Sequence, residues 1–288
     1  MTDTVEMQNI RGLDIDKAVK GFALTNYIFK NLVSVSSMSG DSVRWYQETA
    51  ADLTATSPSA IANISPLSSF PILEVDWTRQ ESYVRKYAAE GFLSMEDMKS
   101  ADIDVLARTL LRLTRAVVKQ VDTRIYNILT ESQSPVNIGH AAATGTGWDD
   151  TTNGNPVLDI MAAKQYIAEQ DYDTSSCIVA MNPDNHKDLL NYLITVKGSS
   201  IPNFSSDKVQ SGVVMSLLGC RIVVSNNVVA DSVFVGLPAT ACTWKTHTDT
   251  TSKVIDEAGI GSKIRVWELG EAILTDPKAA YLITDTDS

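Results

Sequence analysis

Cysteine is scarce in this sequence, and the three that occur are far apart. Cys177, Cys220 and Cys242 each stand among apolar or small residues, with no CxxC pair and no histidine at metal-ligand spacing. The spacing predicts buried thiols made in a reducing cytosol. The N-terminal residues also lack the apolar stretch of a signal peptide, and no run of 18 uncharged apolar residues occurs. Neither export nor a membrane span is therefore expected.

Motifs that carry catalysis or bind phosphate are missing too. The sequence contains no GxSxG, GxxxxGK[ST] or HExxH pattern and no EF-hand loop. Gly145 and Gly147 open no predicted helix, and Gly259 and Gly261 lack the spacing of a phosphate loop. We therefore predict that neither glycine pair binds phosphate.

Histidines and carboxylate pairs give no sign of a reactive site. The histidines are predicted in three separate segments, a loop, a helix and a loop: His140, His186 and His247. Acidic pairs such as Asp149-Asp150 are usually solvated surface in a protein with this much negative charge. We expect no catalytic residue, no cofactor and no metal ligand, and predict that the protein is not an enzyme.

Positive charge is in the minority. The 288 residues include 24 Lys and Arg against 35 Asp and Glu, a formal net charge of -11. A chain with this balance is repelled by polyanions, so a dedicated nucleic-acid binder is not expected. Hydrophobic residues make up 44% of the chain, enough for a sizeable core in one large domain or two closely joined ones.

The first ninety or so residues predict an arm and then a long hairpin. Residues 1–40 hold one short amphipathic stretch and a serine-rich tail, with no core of their own. Residues 43–49 and the alternating run that begins at Leu73 predict two strands. Between them, residues 50–71 are rich in Ala, Ser, Thr and Pro, so we expect the tip of a projecting loop.

The strongest periodic signal lies in residues 101–131, which contain neither Gly nor Pro. Apolar residues recur there at spacings of three or four: Ile103, Leu106, Leu110, Leu113, Val117, Val121, Ile125 and Ile128. Asp102 and Asp104 stand at the start, where the helix dipole favours acids. The pattern predicts one continuous helix of roughly 40 Å.

A basic stripe follows the opposite face of this predicted helix. Its members are Arg108, Arg112, Arg115 and Lys119. Three interpretations remain open: a solvated helix face, a contact with a neighbouring subunit, or a contact with enclosed nucleic acid. The acidic residues that a neighbouring hairpin would offer are Glu74, Asp76 and Glu81. Salt-sensitive assembly would favour either contact over the solvated face.

Beyond a glycine-rich linker the pattern becomes mixed α/β. Asn155-Pro156 and Asn182-Pro183 place a capping Asn before a Pro, which predicts helices at roughly 156–170 and 183–195. Strands are predicted for CIVAM, VVMSLLGCRIVVS and SVFVG. The C-terminal part predicts two further strands broken at Asp276-Pro277, which we expect to pair back beside the long helix.

The order of these elements, with several local motifs, resembles the major capsid proteins of tailed bacteriophages of the Hong Kong 97 type. The motifs are IVAMNPDNHKDLLNYL, SLLGCRIVVSNNV, SVFVG and DPKAAYLIT. The resemblance implies an α+β capsid fold and covers nearly the whole chain. Its parts would be an N-terminal arm (1–40), an E-loop (41–92), a P-domain (93–154 and 251–288, with a spine helix at 101–131) and an A-domain (155–250).

Two departures from relatives bear on how a shell would be held together. Some relatives crosslink subunits through an E-loop lysine, but residues 31–85 contain no lysine. Lysine-based covalent crosslinking is therefore not expected. Other relatives carry a fused N-terminal helical scaffold, for which forty residues leave no room, so the resemblance implies a separate scaffolding protein.

The resemblance implies a structural protein that forms hexamers and pentamers and closes an icosahedral shell around double-stranded DNA. Contacts are expected from the arm, residues 50–71 and residues 197–210. Expected partners are further copies, a portal protein, a decoration or cement protein, and packaged DNA bound without sequence preference, but no membrane. The expected location is the virion capsid, assembled in the host cytoplasm. Alternatives are an encapsulin-like nanocompartment shell and, third, a soluble α/β enzyme.

Overall fold

The computed structural model describes residues 16–17, 19–23, 26–47, 63–69, 78–96, 105–130, 138–145, 147–150, 152–196, 216–257 and 259–287. The chain divides into two compact units, each built from segments that are distant in the sequence. The first unit draws on Met1–Val43, Ser82–Tyr126 and Thr243–Ile273. The second draws on Arg44–Glu81, Asn127–Cys242 and Leu274–Ser288.

The described elements follow this order: β1 (Ser34–Ser37), β2 (Ser42–Gln47), β3 (Thr78–Tyr83), β4 (Arg85–Ser94), α1 (Val105–Leu129), β5 (Gly139–Ala142), α2 (Pro156–Glu169), β6 (Ile178–Met181), α3 (Pro183–Asn191), β7 (Ser216–Leu217), β8 (Cys220–Val224), β9 (Ser232–Gly236), α4 (Pro238–Ala241), β10 (Cys242–Glu257), β11 (Gly261–Leu274) and β12 (Ala280–Thr284). Helix and strand occur in both units, which agrees with the predicted α+β class. Among the described residues, no helix is long and apolar enough to cross a membrane.

The first unit is a four-stranded sheet with α1 packed against it. The strand order is β1-β10-β11-β4, with β1 parallel to β10 and β4 antiparallel to β11. The core forms where the apolar face of α1 meets the sheet, and its buried members are Val19, Leu93, Leu110, Val117, Ile264 and Val266. Val19 comes from the segment predicted as an arm. That segment, for which the sequence predicts no core of its own, contributes Val19 to this one.

Helix α1 is the spine helix that the periodicity predicted. Its 25 described residues fall within the predicted span, while residues 101–104 and 131 lie outside the described part of the chain. Five of the predicted inward positions are fully buried: Leu110, Val117, Val121, Ile125 and Ile128. Leu106 and Leu113 are half-buried against the same core.

A glycine allows two strands of the first sheet to lie close beneath a tryptophan. Trp244 of β10 is fully buried, and Gly270 lies on β11. A Cβ at position 270 would stand 2.5 Å from Cζ2 of Trp244 and 2.8 Å from the carbonyl oxygen of Lys245. Any side chain there would collide with the indole ring, so glycine is required by packing.

The second unit contains a six-stranded mixed sheet. Its order is β5-β12-β9-β6-β8-β7. At its centre, β9 is buried along its whole length and pairs antiparallel with both β6 and β12. Strand β6 pairs in parallel with β8, and β12 in parallel with β5. Helix α2 contacts β9 and β12, and Ile160, Ala163 and Ile167 form its buried face.

The caps predicted from the Asn-Pro pairs are present. The side chain of Asn155 accepts a hydrogen bond from the Leu158 amide, and that of Asn182 accepts one from the Asp184 amide, both at 3.2 Å. In each case Pro occupies the first helical turn, where its missing N–H costs nothing. The strand predicted from SVFVG spans those same five residues.

Three expectations for the strands differ from the structure. Both C-terminal strands were expected beside the long helix; β11 lies in the sheet that packs on α1, but β12 pairs with β5 and β9 in the other sheet. The 16-residue strand β10 was not predicted at all. His140 and His247 consequently lie on strands β5 and β10 rather than in loops. Strands β2 and β3 form a two-stranded sheet, whereas the run from Leu73 to Trp77 lies outside the described residues.

Candidate assembly surfaces

The basic stripe is an exposed feature of the first unit. All four side chains, Arg108, Arg112, Arg115 and Lys119, are exposed on α1. The rise of an α-helix places the first and last of them about 16 Å apart along the axis. Within the described part of the chain, none of the four takes part in an ion pair. The stripe therefore presents four cations to solvent or to another molecule.

The acidic residues suggested as partners for the stripe are only partly described. Glu74 and Asp76 lie outside the described residues. Glu81 on β3 faces Arg44 on β2, with 3.5 Å between Oε1 and Nε. Partly exposed ion pairs of this kind contribute about 0–1 kcal/mol, so this contact holds Glu81 only weakly within its own hairpin. The pairing of the stripe with a neighbour's acidic residues stays a prediction.

A buried polar cluster holds the arm segment onto the first unit; we call it the arm clamp. It consists of Tyr27, Lys30, Thr250 and Glu268. Lys30 Nζ lies 2.6 Å from Oε1 of Glu268, and the Thr250 hydroxyl donates to Oε2 at 2.9 Å. The Tyr27 hydroxyl donates to the same carboxylate. Glu268 is fully buried, so its charge depends on these three partners.

Ionisation in the arm clamp follows from burial. Burial, and then the Glu268 carboxylate, raise the pKa of Tyr27 above its usual value. The phenol therefore stays protonated and acts as a donor to Glu268. The Lys30 side chain is 11% exposed, so the ion pair with Glu268 is nearly removed from solvent. Removing one partner of such a pair leaves an uncompensated buried charge.

A carboxylate on the spine helix supports the same arm segment. Asp122 accepts hydrogen bonds from the backbone amides of Ile28 at 2.8 Å and Lys30 at 3.1 Å. Burial raises the pKa of Asp122 to about 6, although the amide hydrogen bonds and Lys30 act in the opposite direction. The arm is thus bound through its side chains to β11 and through its backbone to α1.

A second buried glutamate joins three further elements of the first unit. Glu271 on β11 pairs with Arg124 of α1, whose Nε donates to Oε1 at 3.0 Å. Arg85 at the start of β4 lies 3.4 Å from Oε2. The start of β4, helix α1 and strand β11 therefore meet at the fully buried carboxylate of Glu271. Neither glutamate was singled out from the sequence, because carboxylates in an acidic protein were assigned to the surface.

In the second unit, a carboxylate of the protein itself, that of Asp159, accepts hydrogen bonds from the glycine-rich linker. Asp159, in the first turn of α2, accepts hydrogen bonds from the Thr144 amide at 3.1 Å and from Trp148 Nε1 at 2.7 Å. A negative charge already satisfies the donors that a phosphate would need. The expectation that Gly145 and Gly147 bind no phosphate stays a prediction. The described residues contain no group of three His, Cys, Asp or Glu side chains arranged to hold a metal ion.

The comparisons with known proteins that give a match point to one protein family. The model of a family described as phage capsid protein matches residues 79–283. No curated protein sequence matches the chain. Among solved structures, the capsid of cyanophage P-SCSP1u superposes with a TM-score of 0.68 at 14% identity, covering 90% of this chain and 88% of that one.

Two further structures share the fold. A virus-like particle from Pyrococcus furiosus has a TM-score of 0.65 at 13% identity and covers 95% of this chain and 99% of that one. A structure from Mycobacterium phage Che8 has a TM-score of 0.63 at 16% identity, covering 91% and 92%. The family match spans well over half of the sequence, and the neighbours share its fold. The chain belongs to the phage capsid protein family and is a shell-forming structural protein with the Hong Kong 97-type fold.

Proposed function

We propose that the chain assembles as hexamers and pentamers into an icosahedral shell that encloses viral double-stranded DNA. The observation that carries the proposal is the phage capsid family match, which runs through residues of both compact units. Assembly takes place in the host cytoplasm and the product is the virion capsid. The arm, residues 50–71 and residues 197–210 make contacts between copies; the latter two stretches lie largely outside the described residues.

Exposed apolar side chains support self-assembly. Tyr46 and Tyr83 on the β2–β3 hairpin are 65% and 68% exposed, and Met161 on α2 is 51% exposed. Large apolar side chains cost free energy while they face water, and closed symmetric assembly covers such surfaces with neighbouring copies. In the shell, further copies of the chain cover these residues.

The shell is held without lysine crosslinks. Residues 31–85 contain no lysine, so the hairpin has no amine to form an isopeptide bond. Stability comes from non-covalent contacts, together with a decoration or cement protein where one is present. A separate scaffolding protein and a portal protein complete the assembly. The protein performs no catalysis, including on itself.

The basic stripe makes an inter-subunit contact or faces the packaged DNA. Four exposed cations without ion-pair partners in the described chain support a role in binding an acidic surface. A neighbour's hairpin carboxylates and DNA phosphates are both acidic. The two roles have different consequences. A contact between subunits is needed for the shell to close, whereas a contact with DNA is needed only for the closed shell to hold DNA.

Electron microscopy of the full chain tests the shell. The protein is expressed alone and together with the proteins encoded beside it, and particles are imaged after nuclease treatment. We expect closed particles with five-fold vertices, which on denaturing gels run as a single monomer band. A chain that stays monomeric at every salt concentration and with every co-expressed protein contradicts the proposal, and a ladder of covalent multimers contradicts the absence of crosslinking.

Charge reversal separates the roles of the stripe. Arg112→Glu with Arg115→Glu is compared with Lys253→Glu, which changes an exposed cation of β10 in the same unit. An inter-subunit role predicts that only the stripe variant loses closed particles. A DNA-facing role predicts closed particles with less nuclease-protected DNA. If stripe and control variants match the wild type in both measurements, the stripe is a solvated face.

A second candidate function is supported by one comparison. The virus-like particle from Pyrococcus furiosus has the same fold over 95% of this chain, so the shell could enclose protein cargo instead of DNA. The contents of purified particles distinguish the two. Nuclease-protected double-stranded DNA supports the virion, whereas particles that contain a second protein and no DNA support a nanocompartment.

A further inference from the structure

Two of the three cysteines lie side by side in the sheet of the second unit. Strands β6 and β8 run parallel with Ile178 opposite Arg221, which places Cys177 next to Cys220 one position earlier. The Arg221 amide donates to the Cys177 carbonyl at 3.0 Å, so the pairing continues through this position. Adjacent strands lie about 4.8 Å apart, within the range of Cα separations that disulfides span.

The two thiols and a nearby lysine form one electrostatic cluster. The neighbouring Cys177 side chain, and then the ammonium of Lys164, lower the pKa of Cys220, while burial acts in the opposite direction. The neighbouring Cys220 side chain, and then burial, raise the pKa of Cys177. Lys164 is held at the turn just before Cys220, because its Nζ donates to the Leu218 carbonyl at 2.7 Å. Cys220 is thus the better nucleophile, and Cys177 holds its proton beside it.

Both thiols are buried, so a reagent reaches them only through a local opening. One way leads through the edge of the sheet, where β7 has two residues and, among the described strands, pairs with β8 alone. The connecting turn has Leu218 at φ 55° and Gly219 at φ 80°, and a leucine in the left-handed region is strained. Leu218 and Lys164 also line a shallow surface pocket of about 500 Å³. Short, strained edge hairpins open more readily than central strands.

We propose that Cys177 and Cys220 form a dithiol site that a peroxide oxidises to an intrachain disulfide. The Cys220 thiolate attacks one oxygen of hydrogen peroxide, forming an S–O bond while the O–O bond breaks and hydroxide leaves. The Cys177 sulfur then attacks the Cys220 sulfur. The S–S bond forms, the S–O bond breaks, and the oxygen leaves as water with the Cys177 proton. Two thiols are oxidised by two electrons, and the peroxide is reduced to two waters.

The disulfide would fasten the edge hairpin to the middle of the sheet. It joins β6 to β8 and closes a chain loop between residues 177 and 220. The bond resists separation of β8, which carries the edge strand β7, from β6. The site does not depend on shell formation, since all of its members belong to one unit of one chain.

Thiol mapping of the native full chain tests the site. Wild type, Cys177→Ser, Cys220→Ser and the control Cys242→Ser are exposed to hydrogen peroxide at neutral pH, unfolded, alkylated and analysed by peptide mass spectrometry. We expect wild type and Cys242→Ser to lose both thiols of the pair and to give one linked peptide, Cys177 to Cys220. Cys177→Ser should instead accumulate sulfenic acid at position 220. Circular dichroism establishes that each variant is folded.

Several outcomes would overturn the proposal. Wild-type protein that keeps all three thiols open to alkylation has no such site, and a linked peptide containing Cys242 places the reaction elsewhere. Should a serine variant fail to fold, the peptide map of the wild type decides alone. Lys164→Met should slow disulfide formation several-fold, and an unchanged rate would refute Cys220 as the activated thiol.

Discussion

At the residue scale, two fully buried glutamates organise the first unit. Glu268 forms an ion pair with Lys30 and accepts hydrogen bonds from Tyr27 and Thr250. Glu271 forms ion pairs with Arg124 and Arg85. Burying a carboxylate is costly unless cations and donors surround it. Both oxygens of Glu268 have such partners, whereas Oε2 of Glu271 has the Arg85 cation nearby but accepts no hydrogen bond within the described residues. The arrangement makes the position of the arm specific, since the arm supplies two of the groups that satisfy Glu268.

Glu268→Gln should destabilise the chain strongly. The amide removes the charge that compensates the nearly buried Lys30 ammonium, and breaking a buried pair costs about 3–5 kcal/mol. Urea unfolding of the full chain measures the loss. The matched control is Glu90→Gln, which removes the partner of Arg265 in an exposed ion pair and should cost about 0–1 kcal/mol. Equal losses in the two variants would show that Glu268 is not a clamp residue.

Asp122 should make stability depend on pH in the direction opposite to an ordinary surface carboxylate. Burial holds its folded pKa at about 6, above the usual value of an aspartate, so the folded state binds the proton more tightly than the unfolded state. This contribution is full below the unfolded pKa and is lost as pH rises through about 6. A difference of this size between the folded and unfolded pKa corresponds to about 3 kcal/mol over the whole window.

Asp122→Asn removes this titration and is the appropriate comparison. Urea unfolding of both proteins between about pH 5 and pH 7.5 gives the difference in stability at each pH. We expect wild type to gain stability relative to the variant as pH falls through about 6. A difference that is flat across this range would mean that Asp122 titrates at its usual pKa.

At the element scale, the helices and strands that the sequence predicts correctly are those marked by a local residue pattern. The spacing of Leu110, Val117 and Val121 predicted the spine helix, and two Asn-Pro pairs predicted the starts of α2 and α3. Strand β10 was missed because it alternates threonines with charged residues and lacks the apolar run that marked the other strands. The location of β12 was missed because its partners, β5 and β9, are far away in the chain.

The candidate assembly surfaces also divide into features that a local pattern predicts and features that depend on residues far apart in the chain. The basic stripe could be predicted because its members follow the helical repeat on one face. The arm clamp could not, since Lys30 and Glu268 are separated by 238 residues and neither has a distinctive local context. Nothing in local patterning marks a carboxylate as buried when its partners come from other segments.

Gly270→Ala tests the close packing of β10 and β11. The added methyl group would meet both the buried Trp244 ring and a backbone carbonyl, so the strands must move apart. Overpacking of this kind costs about 1–3 kcal/mol. Thermal unfolding of the full chain measures the effect. Gly40→Ala serves as control, because its Cβ would have only an ordinary 3.7 Å contact with the Ser42 carbonyl; a similar loss in both variants would contradict the packing argument.

At the scale of the whole molecule, the chain is an acidic protein whose described residues include the exposed basic stripe of α1, and its net charge of -11 affects how copies approach each other. Like charges on neighbouring subunits repel, and salt screens that repulsion with a Debye length of about 10 Å at 0.1 M. If the stripe binds acidic residues of a neighbouring subunit, salt also weakens the attraction between the stripe and those residues.

Particle yield as a function of ionic strength measures which effect dominates. If the stripe joins subunits, wild-type yield should fall as salt rises, and Arg112→Glu with Arg115→Glu should give few closed particles at every salt concentration. Lys253→Glu should retain the wild-type dependence on salt. If yield instead rises with salt in all three proteins, general repulsion governs assembly and the stripe contributes no subunit contact.

The arm clamp has a consequence for the order of synthesis. Tyr27 leaves the ribosome early, but Glu268 follows 241 residues later. Until then the arm lacks its carboxylate partner, and the sheet lacks β11. Contacts between such distant positions form late and slowly. A chain that terminates before residue 268 lacks the carboxylate that binds Tyr27 and Lys30, so only nearly complete polypeptides can complete the first unit.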